Sequence, residues 1–225
     1  MAKIHGLPGE WARVRGVVWG LWPLFLGAAA LGFAVATAAF GRFTWGLAVL
    51  AAALVWNGLW LMRGLRRVER FFKGARGEER VSGILAGLPD AYHVFNDFVA
   101  GREHIDHVVV GPAGVFAVET KFWRDEVTVE EGYVLRAGRM PDRDPLVQVR
   151  READLVRRTL AKAGWQGAVT PVLAFASDTF TAHRAELNGA VVLNSSELNG
   201  SFGTKMVVIP PNELERLVGL MEALR

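Results

Sequence analysis

The sequence predicts an α/β domain, a mixed central β-sheet flanked by helices, joined to an N-terminal transmembrane helical hairpin. Two observations predict the hairpin. Apolar runs fill residues 17–40 and 45–62, and across residues 17–62 the sole formal charge is Arg42. A third observation predicts the domain. From residue 63 onward, short β-branched segments alternate with turn signals and amphipathic stretches, the pattern of strands and helices interleaved. There is no internal repeat and no low-complexity tract. Cysteine is absent, which excludes disulfides and thiolate metal sites.

The first apolar run would span roughly 36 Å as a helix and the second roughly 27 Å, both within reach of a bilayer core. Only Gly41-Arg42-Phe43-Thr44 separates them, so the pair must turn back as an antiparallel hairpin. Trp19, Trp22, Trp45, Trp56 and Trp60 fall near the ends of the runs, as an aromatic belt does. Arg13 and Arg15 precede the first run, and Arg63, Arg66, Arg67 and Arg70 follow the second. The positive-inside rule then places both termini and the soluble domain in the cytoplasm of a multi-pass cell-membrane protein. Ala36-Thr37-Ala38 imitates a signal-peptide cleavage site, but the run is too long and a second follows at once. Gly and Ala on the helix faces suit self-association into an oligomer through the hairpin. Pro23 and Asn57 read as kink and packing features.

The net charge of +3 is unevenly placed. Residues 1–73 hold nine Lys and Arg against Glu10 and Glu69, a net +7, which leaves −4 for residues 74–225. The basic part would meet anionic headgroups, and the domain lacks the electrostatics of a tight non-specific DNA binder. The expected division is a membrane anchor over 1–73 and a soluble domain over 74–225.

Within the domain, residues 66–87 read as a helix or a broken pair of helices, with Gly74 and Gly77 as weak points. Strands are expected over 91–99, 104–110 and 115–121, the last two joined by Gly111-Pro112-Ala113-Gly114. A hairpin follows around Glu131-Gly132. The 145–163 segment is a helix with Leu146, Val149, Ala153, Val156 and Leu160 on one face. Strands over 169–176, 190–193 and 206–209 and a helix over 212–224 complete the sheet and its cover.

The turn at 111–114 carries the chemistry. If it closes symmetrically, paired positions sum to 225, which sets Asp106 opposite Glu119. Directly opposed carboxylates repel unless a cation neutralises them. Lys121 lies two residues beyond Glu119 and shares its face. Hard oxygen donors without cysteine suit Mg²⁺ or Mn²⁺. His104 and His107 flank Asp106, but their spacing puts them on opposite faces, and His107 reads as a packed histidine. Arg150, Arg151, Arg157, Arg158 and Lys162 give the following helix a basic face. It could track phosphates or be a solvated face paired with Glu152 and Asp154.

Asp106 with Glu119-Thr120-Lys121 resembles the core of the PD-(D/E)XK nuclease superfamily. The flanking text, Gly77-Glu78, then Ile105-Asp106-His107-Val108-Val109-Val110-Gly111-Pro112, Gly114-Val115-Phe116, Val118-Glu119-Thr120-Lys121, and Asp144-Pro145 with Gln148, resembles the nuclease-related domain family, NERD. The resemblance implies that Asp106, Glu119 and Glu78 bind the metal, that Lys121 is the catalytic lysine, and that Gln148 completes the polar pocket. The family's usual polar residue after the lysine is replaced by Phe122-Trp123. The function implied is a membrane-anchored, metal-dependent nuclease acting on DNA or RNA. The alternative is a catalytically silent nucleic-acid-binding or interaction module on the same tether.

Overall fold

The computed structural model describes residues 1–203 and 208–225. The chain divides into two compact units, Met1–Glu10 with Gly74–Arg225, and Trp11–Lys73.

The helical unit is built from α1 (Glu10–Ala39) and the first part of α2 (Phe43–Leu85). Both are long and apolar enough to cross a membrane. Pro23 lies inside α1 without ending it. Asn57 packs its side chain against Gly27, and Trp19 stacks on Trp60 with ring centroids 5.0 Å apart.

The second unit is a seven-stranded mixed sheet. In chain order its strands are β1 (Lys3–His5), β2 (His93–Ala100), β3 (Glu103–Gly111), β4 (Gly114–Lys121), β7 (Val169–Phe175), β8 (Arg184–Leu187) and β9 (Ala190–Asn194). Their spatial order is β1-β2-β3-β4-β7-β9-β8. β2, β3 and β4 form an antiparallel meander, while β4, β7 and β9 run parallel. Parallel neighbours need a crossover. Between β4 and β7 the chain makes a separate ribbon of β5 (Val127–Glu130) and β6 (Tyr133–Arg136), then α3 (Pro145–Lys162). α3 starts where Asp144 Oδ1 accepts a hydrogen bond from the Leu146 N–H, with Pro145 next in line.

One sheet face packs Val94, Val109, Phe116, Val118 and Val172 against Val81 and Leu85 of α2. The other packs Val108, Val110, Val115 and Ala117 against Ala153, Val156 and Leu160 of α3 and Leu217 of α5 (Pro211–Ala223). A third cluster continues that face outward, with Leu173 and Phe175 meeting Leu146 and Val149. Each fully buried apolar side chain contributes about 2 kcal/mol, so α3 is fixed on the sheet chiefly by this stripe.

Several expectations change in three dimensions. The helix expected over 66–87 is the end of one 43-residue helix. Gly74 and Gly77 each cost only about 1 kcal/mol in a helix, less than the packing of Val81 and Leu85 on the sheet. Residues Met1–Glu10, expected in the anchor's flank, group with the domain, because β1 adds a parallel edge strand to β2. A three-residue strand is too short to leave a periodic signal. β8 and α4 (Leu198–Gly203) were also not anticipated. Of the strand expected over 206–209, residues 206 and 207 lie outside the described residues, and Val208 and Ile209 are not in a strand.

The β3–β4 turn is tight because of two glycines. Gly114 adopts φ +128°. At Gly111 an added Cβ would lie 2.1 Å from Tyr92 Cδ1, and that ring is tethered by its hydroxyl to the Phe202 carbonyl at 2.8 Å. Gly111→Ala should therefore destabilise the domain by about 3 kcal/mol. A thermal melt unchanged from wild type would show that the ring yields freely.

Candidate carboxylate and lysine site

β4 lies at the middle of the sheet, between β3 and β7. Val115 to Val118 are buried apolar residues, and the polar residues Glu119, Thr120 and Lys121 follow at the strand's C-terminal end. In open α/β sheets that is the end at which ligands bind. The strand alternation sends Glu119 and Lys121 to the α3 side, as expected from their spacing.

There they form a closed cluster with Gln148 of α3. The Lys121 ammonium donates to Glu119 Oε1 and, at 3.0 Å, to Gln148 Oε1. Gln148 Nε2 donates to the same Glu119 oxygen at 2.8 Å. Glu119 is 5% exposed, so this is no surface ion pair. Burial alone would lower the Lys121 pKa. The charges of Glu119, Asp106 and Glu152 outweigh it, and the ammonium is held above the usual lysine range.

Asp106 joins the cluster differently from the sequence expectation. The register is as counted, from Gly111↔Gly114 to His107↔Val118. The ladder ends there, so Asp106 is not bridged to Glu119. Its Oδ2 instead accepts the Thr120 N–H at 2.8 Å, taking the place that a β3 carbonyl would fill. One strand away, Asp97 takes φ +52°, and the β2–β3 ladder keeps its register while the pairing of Asp97 with Asp106 is missing from it. Burial, then the charge of Glu119, then that of Glu78, push the Asp106 carboxyl well above the usual aspartate range. Glu78, on α2, is half-buried and acts on Asp106 through its charge.

Glu152 was missed by sequence reasoning. One of the two sequence readings of this helix makes it a partner on a solvated face, yet it is 3% exposed within the buried stripe of α3. Gln148 Nε2 donates to its Oε1 at 2.8 Å, and its Oε2 is buried without a hydrogen-bond partner. Burial and the charge of Glu119 push its pKa up to about 9, so it holds a proton at neutral pH. The available signal was its spacing: Glu152 lies one turn beyond Gln148, on the same side of the helix.

The donor chemistry fits a hard divalent cation. Asp106, Glu119 and Glu78 offer oxygen donors, and the repulsion of Asp106 by Glu119 and Glu78 calls for positive charge that Lys121 only partly supplies. As arranged here, no three His, Asp or Glu side chains among the described residues close into a metal cage. Glu119 is turned onto Lys121 and Gln148 instead.

The two histidines separate as expected. His107 is fully buried, with Nδ1 2.7 Å from Asn96 Oδ1, while His104 Nδ1 lies 3.0 Å from Asp97 Oδ1.

The fold and site together define an α/β domain with buried carboxylates and a lysine at the end of its central strand. Residues 73–176 match the model of the NERD family, nuclease-related domain. No curated protein and no solved structure matches the chain.

Proposed function

We propose that the chain is a membrane-anchored, metal-dependent nuclease that hydrolyses phosphodiester bonds of DNA or RNA. The observation that carries this reading is the buried Glu119, Lys121 and Gln148 cluster, with Asp106 beside it, inside a nuclease-related domain. Asp106, Glu119 and Glu78 would hold Mg²⁺ or Mn²⁺. Such an ion, when bound, supplies a more acidic water and positive charge for the phosphate. Lys121, kept charged by its acidic neighbours, is suited to stabilise negative charge developing on a phosphate oxygen. Gln148 fixes the orientation of Lys121 and Glu119 by bonding both. Glu152 holds its proton and accepts from Gln148, which anchors that amide from behind.

The placement on a membrane is part of the proposal. α1 and α2 would cross as a hairpin with both termini and the domain on the cytoplasmic side. The pairing of β1 with β2 supports this reading. The chain leaves one folded unit before α1 and re-enters the same unit within α2, as a hairpin that crosses twice would have it do.

The test uses the full chain in detergent or nanodiscs, with plasmid DNA and labelled RNA as substrates. Cleavage in Mg²⁺ or Mn²⁺ that EDTA abolishes is the expected result. Binding of nucleic acid without any cleavage would favour the second reading, a silent module on the same tether. That reading draws support from Glu119, whose oxygen is already engaged by Lys121 and Gln148.

A further inference from the structure

The basic residues of α3 are not equivalent. Arg157 and Arg158 are both spent on Asp154, and Arg150 donates to the Leu146 and Asn188 carbonyls. These pairs are as exposed as others on the helix, and what sets Arg157 and Arg158 apart is their position more than two turns beyond Gln148. At the N-terminal end of α3 the situation differs. A cleft of about 550 Å³ is lined by Arg143, Asp144, Val147, Gln148 and Arg151. Arg143 is exposed and paired with no carboxylate among the described residues. Arg151 pairs with Glu103, but the pair is open to solvent, with side chains 61% and 37% exposed. Exposed pairs of this kind contribute about 0–1 kcal/mol, so the guanidinium can change partner at little cost. Asp144, the one acid in the cleft, is turned onto the Leu146 N–H that it caps.

Gln148 is the wall this cleft shares with the carboxylate site, since its amide bonds Lys121 and Glu119. An occupant of the cleft would touch the side chain that orients those groups. We infer that Arg143 and Arg151 form a phosphate-binding subsite, which seats a backbone phosphate of the nucleic-acid strand adjacent to the bond being cut. This inference rests on the nuclease reading and adds to it the path of the strand, across the N-terminal turn of α3 and not along its outer face. Guanidinium forks match phosphate oxygens bidentately, and exposed Val147 gives the strand an apolar footing between them.

The experiment is equilibrium binding of a fluorescein-labelled oligonucleotide to the full chain in nanodiscs. It is run in EDTA, so that nothing is cut, at several salt concentrations. Arg143→Ala and Arg151→Ala should each weaken binding roughly fivefold and lower the salt slope by about 1, with the double variant losing both contributions. Arg143→Lys should keep the slope and lose part of the affinity. Arg157→Ala should change neither. Wild-type affinity and slope in the double variant would overturn the subsite and leave the nuclease reading standing. Absence of both oligonucleotide binding and cleavage in wild type would overturn the two together.

Discussion

On the proposed nuclease reading, Glu119→Gln and Lys121→Met should each reduce metal-dependent cleavage by about a hundred- to a thousandfold, while Glu152→Gln should leave most of it. The contrast follows from charge. Glu119 is the acceptor that holds both the Lys121 ammonium and the Gln148 amide. A neutral amide there keeps the shape and loses the attraction, together with an anionic ligand for a cation. Lys121→Met removes the positive group that, on that reading, would face the phosphate, a loss of the size seen when one charge-stabilising donor is deleted. Glu152 already holds a proton at neutral pH, its pKa being raised to about 9 by burial and by Glu119. Glutamine is close to the state Glu152 occupies, and its carbonyl can still accept from Gln148. Lys121→Met also leaves Glu119 buried with only Gln148 as partner, so its melting temperature should fall. The Glu119→Gln, Lys121→Met double variant should recover part of that loss without recovering activity. Single-turnover cleavage measured beside thermal melts separates the two effects. Undiminished cleavage in either single variant would remove this cluster from the chemistry.

The second large effect is on stability in acid. His107 is fully buried and bonded to Asn96 through Nδ1, and burial lowers its pKa from 6.5 to about 3. The folded domain therefore keeps His107 neutral while the unfolded chain protonates it. The unfolded state binds the extra proton between pH 6.5 and about 3, so stability falls as pH drops through that window and is unaffected above it. The full loss is about 5 kcal/mol. Asp106 and Glu152 act with the opposite sign. Their raised pKa values mean that the fold takes up protons before the unfolded chain does, which favours the native state as pH falls. The comparison must therefore be with His107→Gln, which leaves the acids in place. Melts from pH 7 to 4 should show wild type losing stability faster than the variant. Parallel curves would mean that His107 is solvated in the folded domain.

Much of the site was readable because it depends on short-range geometry. The turn at 111–114 sets the register of β3 on β4 through glycine and proline preferences, and the observed pairs sum to 225 as counted. The two-residue spacing of Glu119 and Lys121 puts them on one face whatever the rest of the chain does. The apolar runs identify two helices long enough for a bilayer by length and composition alone. Asp106 shows where such reasoning stops. Counting placed it across from Glu119, but the ladder ends at His107↔Val118 and the carboxylate accepts from the Thr120 N–H. Glu152 shows the same limit from the other side. Arg151 before it and Asp154 two residues after it point to a solvated face, and only the packing of α3 on the sheet reveals that its position is buried.

By itself the sequence determined the β2–β3–β4 succession and the helix α3 after it, the two apolar helices, the β3–β4 register and the acid and lysine that share a face. These follow from periodicity, turn chemistry and transfer free energy, all local in the chain. The tertiary structure alone decided that β1 closes the sheet edge, that α2 runs unbroken into the domain, and that Gln148 and Glu152 converge on Glu119. Those outcomes depend on which surfaces meet across tens of residues, and the burial and charge coupling that create the site exist only once those surfaces have met.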